Sequence, residues 1–479
     1  MKLRHYQEEG VKRIREKFKE GKKRVIFQLS TGGGKSLIFT HMAVNAVRNG
    51  KTVLIIADRK ELIGQAKRHL QRVGVTPMVV DPKWKGQMSS CYVASVQTLN
   101  RRNMPEADLV LIDEAHINAF SRVLSNHIYD HSFIVGFTAT PISTPKFDLS
   151  KLYHDMVEVI QIDELINEGF LVNAKFFGAW ENLGKLKMKG DDYDPDELFQ
   201  KFDNKKMYDG MIEAYKQHTP NTKAICFCIN VEHTIRTCEQ FNQHGIKAVF
   251  VVSDPQLCSD QQRDFAIQQF ELGEAMVMVN QGILTKGYDH PAIETVILNR
   301  KTKSLALYLQ MIGRGSRPFK DKMFFNVLDM GSNILEHGWY DEPRVWDLKP
   351  KRKASNKKGL APIKECLNPT CGCLIPAVSK VCKFCGFVFP EDITKLATSE
   401  GIVEIVKEAL PQIPTHLLNK GFSKMSIEEL ELIREIKKYK IGWMVHHLEE
   451  RGAEAWEQYR KLKDYKHGWD KYLRKQHRS

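Results

Sequence analysis

Short, nearly continuous apolar runs alternate with longer mixed stretches along the first 140 positions. The runs VIFQLS (25–30), TVLIIA (52–57), CYVAS (91–95), LVLID (109–113) and FIVGFTAT (133–140) predict buried strands. A run without polar alternation suits a parallel strand covered on both faces. The stretches between the runs are long enough for crossover helices, which predicts a doubly wound α/β domain. A second alternation covers about 223–330, through AICFCI, KAVFVV, AMVMVN, TVILN and FFNVLD. Between the two, the polar stretch 181–220 leans helical and is expected to join or decorate the domains. Residues 392–479 read as a helical tail, in which K-x-Y-K-x-G-W occurs at 437–443 and again at 463–469. Two copies of a helix-entering unit account for that repeat.

Composition narrows the class. The 479 residues fit about three domains, and 42% hydrophobic with 27% charged residues is a globular balance. No apolar run approaches the ~18 residues of a membrane span. The N-terminal MKLRHYQEEGVKRIREKF lacks the apolar core of a secretory signal and reads as an amphipathic helix. A membrane protein and a secreted disulfide scaffold are excluded, and a cytoplasmic location is expected. The net charge of +14 hints at a polyanionic partner. Part of it is concentrated: 349–358 holds six basic and no acidic residues, and 460–478 eight basic and two acidic. The first of these marks a linker.

Five of the ten cysteines crowd into 366–385, which in a chain without a secretion signal points to a metal site. Cys366-x4-Cys371-Gly372 and Cys382-x2-Cys385-Gly386 resemble the two knuckles of a zinc ribbon. Thiolates so spaced can converge tetrahedrally on Zn2+, and four of them leave no open position, so the role is structural. The expected ligands are Cys366, Cys371, Cys382 and Cys385, with Cys373 open to exchange with Cys371.

Ser30-Thr31-Gly32-Gly33-Gly34-Lys35-Ser36 follows a strand and opens a helix. Small residues let backbone N–H groups close around a β- or γ-phosphate, and the helix N-terminus adds positive potential. Lys35 would reach the terminal phosphates and Ser36 would hold Mg2+. Leu29 stands where the full pattern has glycine. Asp113, at the end of the run LVLID and 78 residues after Lys35, is where a Mg2+-binding carboxylate belongs. Glu114, one residue on, can orient and deprotonate an attacking water.

With these residues the chain resembles a superfamily 2 helicase over residues 1 to about 345. Leu3-Arg4-His5-Tyr6-Gln7 resembles the adenine-reading Q motif, which implies Gln7 as a base contact. Ser-Thr-Gly-Gly-Gly-Lys-Ser is the superfamily's own form of motif I, which accounts for Leu29. Thr138-Ala139-Thr140 resembles motif III. Residues 282–289 resemble motif V, which implies nucleotide contacts at Gly287 and Asp289. Gln310-x-x-Gly313-Arg314-x-x-Arg317 matches motif VI. Phosphoryl transfer spreads negative charge over the γ-oxygens, and a guanidinium from outside the phosphate-loop domain can stabilise it. Arg314 and Arg317, with Gln310, are expected to complete the site across a cleft, coupling ATP occupancy to domain closure.

The nucleic-acid track is expected on loops of both domains. Ala57-Asp58-Arg59 and Ser95-Val96-Gln97-Thr98-Leu99 resemble motifs Ia and Ib, which implies contacts at Arg59, Gln97 and Thr98. Asn230 and Thr285 are the candidates in the second domain. Neutral donors to phosphate carry register without sequence information. In the repeat, Lys440, Trp443, Lys466 and Trp469 suit phosphate contact plus stacking on unpaired bases; alternatively the tryptophans anchor a small helical core.

The wording L-R-H-Y-Q, G-F-T-A-T-P (136–141) and L-I-N-E-G-F-L-V (165–172) resembles the DNA-translocating branch: restriction-enzyme motors, XPB-like repair helicases and phage branch-migration helicases. The nearest likeness is to phage and prophage proteins ending in a zinc ribbon. The expected architecture is two RecA-like domains at 1–157 and 158–345, a basic linker at 346–362, a zinc ribbon at 363–391 and a helical basic region at 392–479. The expected function is ATP- and Mg2+-dependent remodelling of duplex or branched DNA. An RNA helicase, or an ATP switch that binds nucleic acid without unwinding it, is the competing expectation.

Overall fold

The computed structural model describes residues 3–350 except 59, 102–103, 145–146, 180–182, 286–287 and 289, together with 363–365, 374–376, 402–405, 425–437, 441–465 and 469. It divides into two compact units, Met1–Val406 and Lys407–Ser479.

The first unit holds two seven-stranded sheets. In the first, β1 (Arg24–Gln28), β2 (Val53–Ala57), β3 (Met78–Val80), β4 (Cys91–Ser95), β5 (Leu109–Asp113), β6 (Phe133–Thr138) and β7 (Asp155–Glu158) lie in the order β3-β4-β2-β5-β6-β1-β7, all parallel. The five expected runs form its interior, and β2 and β4 are buried at every position. Helices on both faces supply that burial, as parallel strands require. The edge strands β3 and β7 are the two that the apolar pattern missed. They are short, and each has a single buried residue, Val80 and Val157.

The second sheet is built from β8 (Asn173–Ala179), β11 (Ala224–Phe227), β12 (Ala248–Val251), β13 (Val277–Asn280), β14 (Thr295–Leu298), β15 (Phe324–Asp329) and β18 (Ile402–Ile405). Their order is β12-β13-β11-β14-β15-β8-β18. All pairs are parallel except β18 on β8. The tail expected to be helical from 392 thus contributes a strand, whose Ile-Val-Glu-Ile sequence suits an edge position beside β8.

The stretch 181–220 is less uniformly helical than its composition predicts. It opens with a hairpin of β9 (Met188–Lys189) and β10 (Asp192–Tyr193), then forms helices Pro195–Phe202 and Lys205–His218. Asp194 accepts from the amide of Asp196 at 2.9 Å and Asn204 from that of Met207 at 3.0 Å, so each helix starts on a side-chain cap. Leu198, Phe202, Met211 and Tyr215 share one buried cluster with the strand residues Cys226, Val279 and Ile297. The stretch is therefore part of the second lobe and covers a face of its sheet.

The chain passes between the lobes more than once. It leaves the first lobe after β7, and past residue 338 it returns: Gln161 Nε2 donates to the carbonyl of Arg344 at 2.9 Å, and the carbonyl of Leu348 accepts from Ser150 N at 3.1 Å. Beyond it, β16 (Ile363–Glu365) and β17 (Leu374–Pro376) form a separate antiparallel pair.

The second unit has helices Ile427–Lys437, Ile441–Arg451 and Ala453–Leu462 around Leu430, Met444, Leu448, Trp456 and Tyr459. Glu431 is buried among them. Burial alone would raise its pKa, but hydrogen bonds from Arg434, Lys463 and Tyr459 outweigh that and hold it at about 2. No helix among the described residues is long and apolar enough to cross a membrane.

Candidate functional site

The site begins where β1 ends. From Gln28 the chain turns through Ser30–Gly34 into helix Lys35–Arg48. Gly32 and Gly34 hold φ at 87° and 85°, left-handed values that favour glycine. Leu29 now has a physical account. Its amide extends the ladder to the carbonyl of Thr138 at 3.0 Å, and its side chain is fully buried beneath the turn, with Cγ 2.8 Å from where a Cβ on Gly33 would stand.

The acidic pair sits at the end of β5, two strands away from β1 in the sheet. Asp113 Oδ1 accepts from the amide of Glu114 at 3.0 Å. Glu114 has φ of 53°, a left-handed backbone that costs a non-glycine residue roughly 1–3 kcal/mol and tends to persist at functional sites. Its carboxylate lies 3.7 Å from Lys35 Nζ and 3.4 Å from His116 Nδ1. His116 Nδ1 is also 2.7 Å from Thr138 Oγ1. The motif resembling motif III therefore meets the acidic pair through one imidazole.

A cavity of about 470 Å3 gathers these groups with the second lobe. Thr31, Gly32, Gly34, Lys35, Ser36, Asp113 and Glu114 line it from one side, and Gln310, Arg314 and Arg317 from the other. Gln310 and Arg314 are placed by helix Leu305–Ile312 and the turn after it. The lobes approach closely there: a Cβ on Gly313 would stand 2.5 Å from Thr31 Cγ2, and one on Gly32 2.6 Å from Leu171 Cδ2. Two buried polar atoms of the lining, Thr31 Oγ1 and Gln310 Nε2, have no hydrogen-bond partner among the described residues. Unsatisfied polar atoms of this kind call for a polar ligand. A glycine-rich turn at a helix N-terminus, a lysine, a hydroxyl with a carboxylate and two guanidinium groups fit a magnesium nucleotide.

Gln7 and Gly33 do not line the cavity; they lie behind it. Gln7 donates to the carbonyl of Gly33, and Tyr6 OH donates to the same carbonyl at 2.9 Å. Residues that the sequence did not single out do line it. Leu62, His69, Arg72 and Val73 come from or just after helix Lys60–Arg72. Leu62, Ala66, His69 and Val73 are spaced for one helix face, and that spacing was the available signal. Burial, with Arg72 and Arg68 nearby, lowers the pKa of His69.

The expected nucleic-acid contacts are in part brought together. Gln97 Nε2 donates to the carbonyl of Asp58 at 2.8 Å, which sets the loops after β2 and β4 side by side. Thr98 Oγ1 lies 2.9 Å from Ser95 Oγ. Asn230 caps helix Val231–Gln243, accepting from His233 N at 2.8 Å. Trp469 is partly buried in the second unit, its ring stacked on Tyr465 at 3.7 Å and 5.8 Å from Tyr459. Lys463 pairs with Glu431 and Glu435, each at 2.9 Å. The second copy of the repeat thus closes a helical core. Arg59, Gly287, Asp289, Lys440, Lys466, the side chains of Thr285 and Trp443, and Cys366, Cys371, Cys373, Cys382 and Cys385 lie outside the described residues.

Known proteins resemble the chain over both lobes. Residues 1–143 match the family described as type III restriction enzyme, res subunit, and residues 205–318 match the helicase conserved C-terminal domain. IRC3 of Saccharomyces cerevisiae, named as an ATP-dependent helicase, is 31% identical over 356 residues, which is 68% of this chain and 51% of IRC3. The chain therefore matches about half the length of that relative. A 51.5 kDa protein of a Lactococcus phage is 27% identical over 80% of this chain and 82% of its own length. Among solved structures, a fragment assigned to an HsdR subunit of a type I restriction enzyme from Vibrio vulnificus YJ016 has a TM-score of 0.54 at 21% identity, covering 69% of this chain and 64% of that one. The chain belongs to the superfamily 2 helicases, a family of ATP-hydrolysing enzymes.

Proposed function

We propose that the chain is an ATP-dependent DNA helicase or translocase that remodels duplex or branched DNA, by unwinding forks or junctions or by branch migration. The observation that carries this reading is the single cavity shared by Lys35, Ser36, Asp113 and Glu114 of one lobe and Gln310, Arg314 and Arg317 of the other. Bound ATP with Mg2+ supplies the phosphoanhydride bond and the cation that offsets its charge. Lys35 would bind the terminal phosphates, Ser36 and Asp113 would hold the metal, and Thr31 with Gly32 and Gly34 would cradle phosphate oxygens. Glu114 orients the attacking water and takes its proton. His116 fixes the carboxylate and links it to Thr138. Arg314 and Arg317 stabilise charge on the transferring group, with Gln310 beside them. Because the arginines come from the second lobe, hydrolysis is coupled to closure of the cleft.

Loop donors hold the nucleic acid by its backbone: Gln97, Thr98 and Arg59 in the first lobe, Asn230 and Thr285 in the second. The restriction-enzyme relatives favour DNA over RNA. A zinc ion on Cys366, Cys371, Cys382 and Cys385 pins the region after the motor. In support, β16 and β17 pair Glu365 with Leu374, the residues flanking the segment that carries Cys366, Cys371 and Cys373. The basic residues of 349–358 and of the tail, Lys440 and Lys466 included, add grip on the polyanion.

The experiment is strand displacement and branch migration on forked, four-way and plain duplex DNA, beside matched RNA. ATP-dependent remodelling of DNA supports the reading. A preference for RNA, or ATP turnover stimulated by DNA without any remodelling, replaces it with an RNA helicase or an ATP switch.

A further inference from the structure

We propose that Lys322 is a positioning residue for the hydrolytic reaction, its ammonium pinning the turn that carries Arg314 and Arg317 to the loop leading into β14. The proposal rests on the ATPase reading above. Lys322 Nζ donates to the carbonyls of Gly315 at 2.5 Å, Ile293 at 2.5 Å and Pro291 at 3.2 Å. A lysine ammonium has three N–H donors, and here each has its own carbonyl.

Gly315 lies between the two arginines. Its other side is closed by Phe325, since a Cβ there would come 2.3 Å from the ring. The next carbonyl, of Ser316, accepts from Val172 N at 2.8 Å. Arg314 itself donates to the carbonyl of Tyr288, three residues before Pro291. The ammonium thus joins the backbone of the arginine turn to the segment that receives an arginine side chain. Pinning of this kind keeps a guanidinium where charge develops, at no reorganisation cost during the reaction.

The device is sensitive to pH. Burial lowers the pKa of Lys322 to about 8, against which Glu294 acts with opposite charge. Glu294 Oε2 in turn accepts from Lys223 N at 3.3 Å, and Lys223 Nζ lies 3.5 Å from His290 Nε2. As pH rises through about 8 the amine keeps two N–H groups for three carbonyls and loses its charge. The fold does not weaken with it. Where the folded pKa is depressed below the unfolded value, the unfolded chain binds the extra proton, so raising pH favours the folded state. Loss of turnover from this group is separable from unfolding.

The test is steady-state ATP turnover of the full chain with saturating duplex DNA, from about pH 6.5 to about 9.5, for the unmodified protein, Lys322→Met and Lys322→Arg. Lys322→Met is expected to lower kcat about tenfold with KM for ATP within about twofold, the mark of an interaction made in the transition state. The unmodified protein is expected to lose kcat as pH rises through about 8, and Lys322→Arg, cationic throughout, to lack that limb. Unchanged kcat in Lys322→Met, or coincident alkaline limbs in the unmodified protein and Lys322→Arg, overturns the proposal. If Lys322→Met melts early, the Lys322→Arg profile decides. Turnover by the unmodified chain, and its loss in Arg317→Ala, tests the ATPase reading separately; no turnover by the unmodified chain overturns both.

Discussion

Gln7 donates from Nε2 to the carbonyl of Gly33 at 3.0 Å, while its Oε1 accepts from the amide of Arg4 at 2.9 Å. One side chain therefore caps helix His5–Lys19 and latches that helix to the phosphate loop. One N–H and one lone pair are left for a base contact. Gln7→Ala removes two hydrogen bonds at about 1 kcal/mol each. It is expected to weaken ATP binding several-fold and to lower Tm. Gln7→Glu keeps the cap acceptor but opposes a carboxylate to the Gly33 carbonyl, and should weaken nucleotide binding further. Titration with a fluorescent ATP analogue, beside thermal melting, separates the two effects.

The lobes also meet closely at Gly313. A methyl on Gly313 would stand 2.5 Å from Thr31 Cγ2. Overpacking of this kind costs about 1–3 kcal/mol, and here it falls on the closed cleft. Gly313→Ala should reduce kcat by about tenfold or more. Thr31→Ser removes the opposing methyl, so the double variant should recover much of the loss. No recovery would mean that the glycine is needed for some reason other than this contact.

Acid stability follows from His233. Burial above all, then Arg300 and Arg236, lowers its pKa to about 3, against about 6.5 in an unfolded chain. Between those values the unfolded chain binds a proton that the folded one does not, so stability falls as pH falls through that window. Between pH 7 and pH 5 the loss from this residue is about 2 kcal/mol. His233→Gln, which has no proton to gain, should show a flatter dependence of Tm on pH. An equal slope in both proteins would contradict this.

The zinc proposal is checked by metal content. The purified chain should carry one zinc per molecule, released by a strong chelator, and Cys382→Ser should abolish binding. Paired Cys371→Ser and Cys373→Ser variants decide which of these two thiolates is the ligand. A metal-free chain with five titratable thiols in the cluster would remove zinc from the account.

Much of the motor was legible because its chemistry sits at strand ends, and apolar runs mark strands. VIFQLS leads to the phosphate loop and LVLID to Asp113 and Glu114. The edge strands β3, β7 and β18 were not legible, since an edge strand needs only one neighbour and little burial. Lys322 was hidden for a different reason. A lysine among Phe319, Lys320 and Asp321 carries no sign of three carbonyls converging on it, because two of those come from residues about thirty positions earlier. The repeated K-x-Y-K-x-G-W was visible as a repeat, yet only packing shows Tyr465 and Trp469 stacked on each other.

In the proposed reaction Glu114 acts as the base in a site completed by both lobes, and DNA-stimulated ATP turnover of Glu114→Gln beside the unmodified chain, with ATP affinity measured in both, tests that role. The amide is nearly isosteric but accepts no proton, so turnover should fall by at least about a hundredfold while ATP binding is retained. Turnover within a few-fold of the unmodified chain would contradict the assignment of Glu114, and with it the account of the reaction.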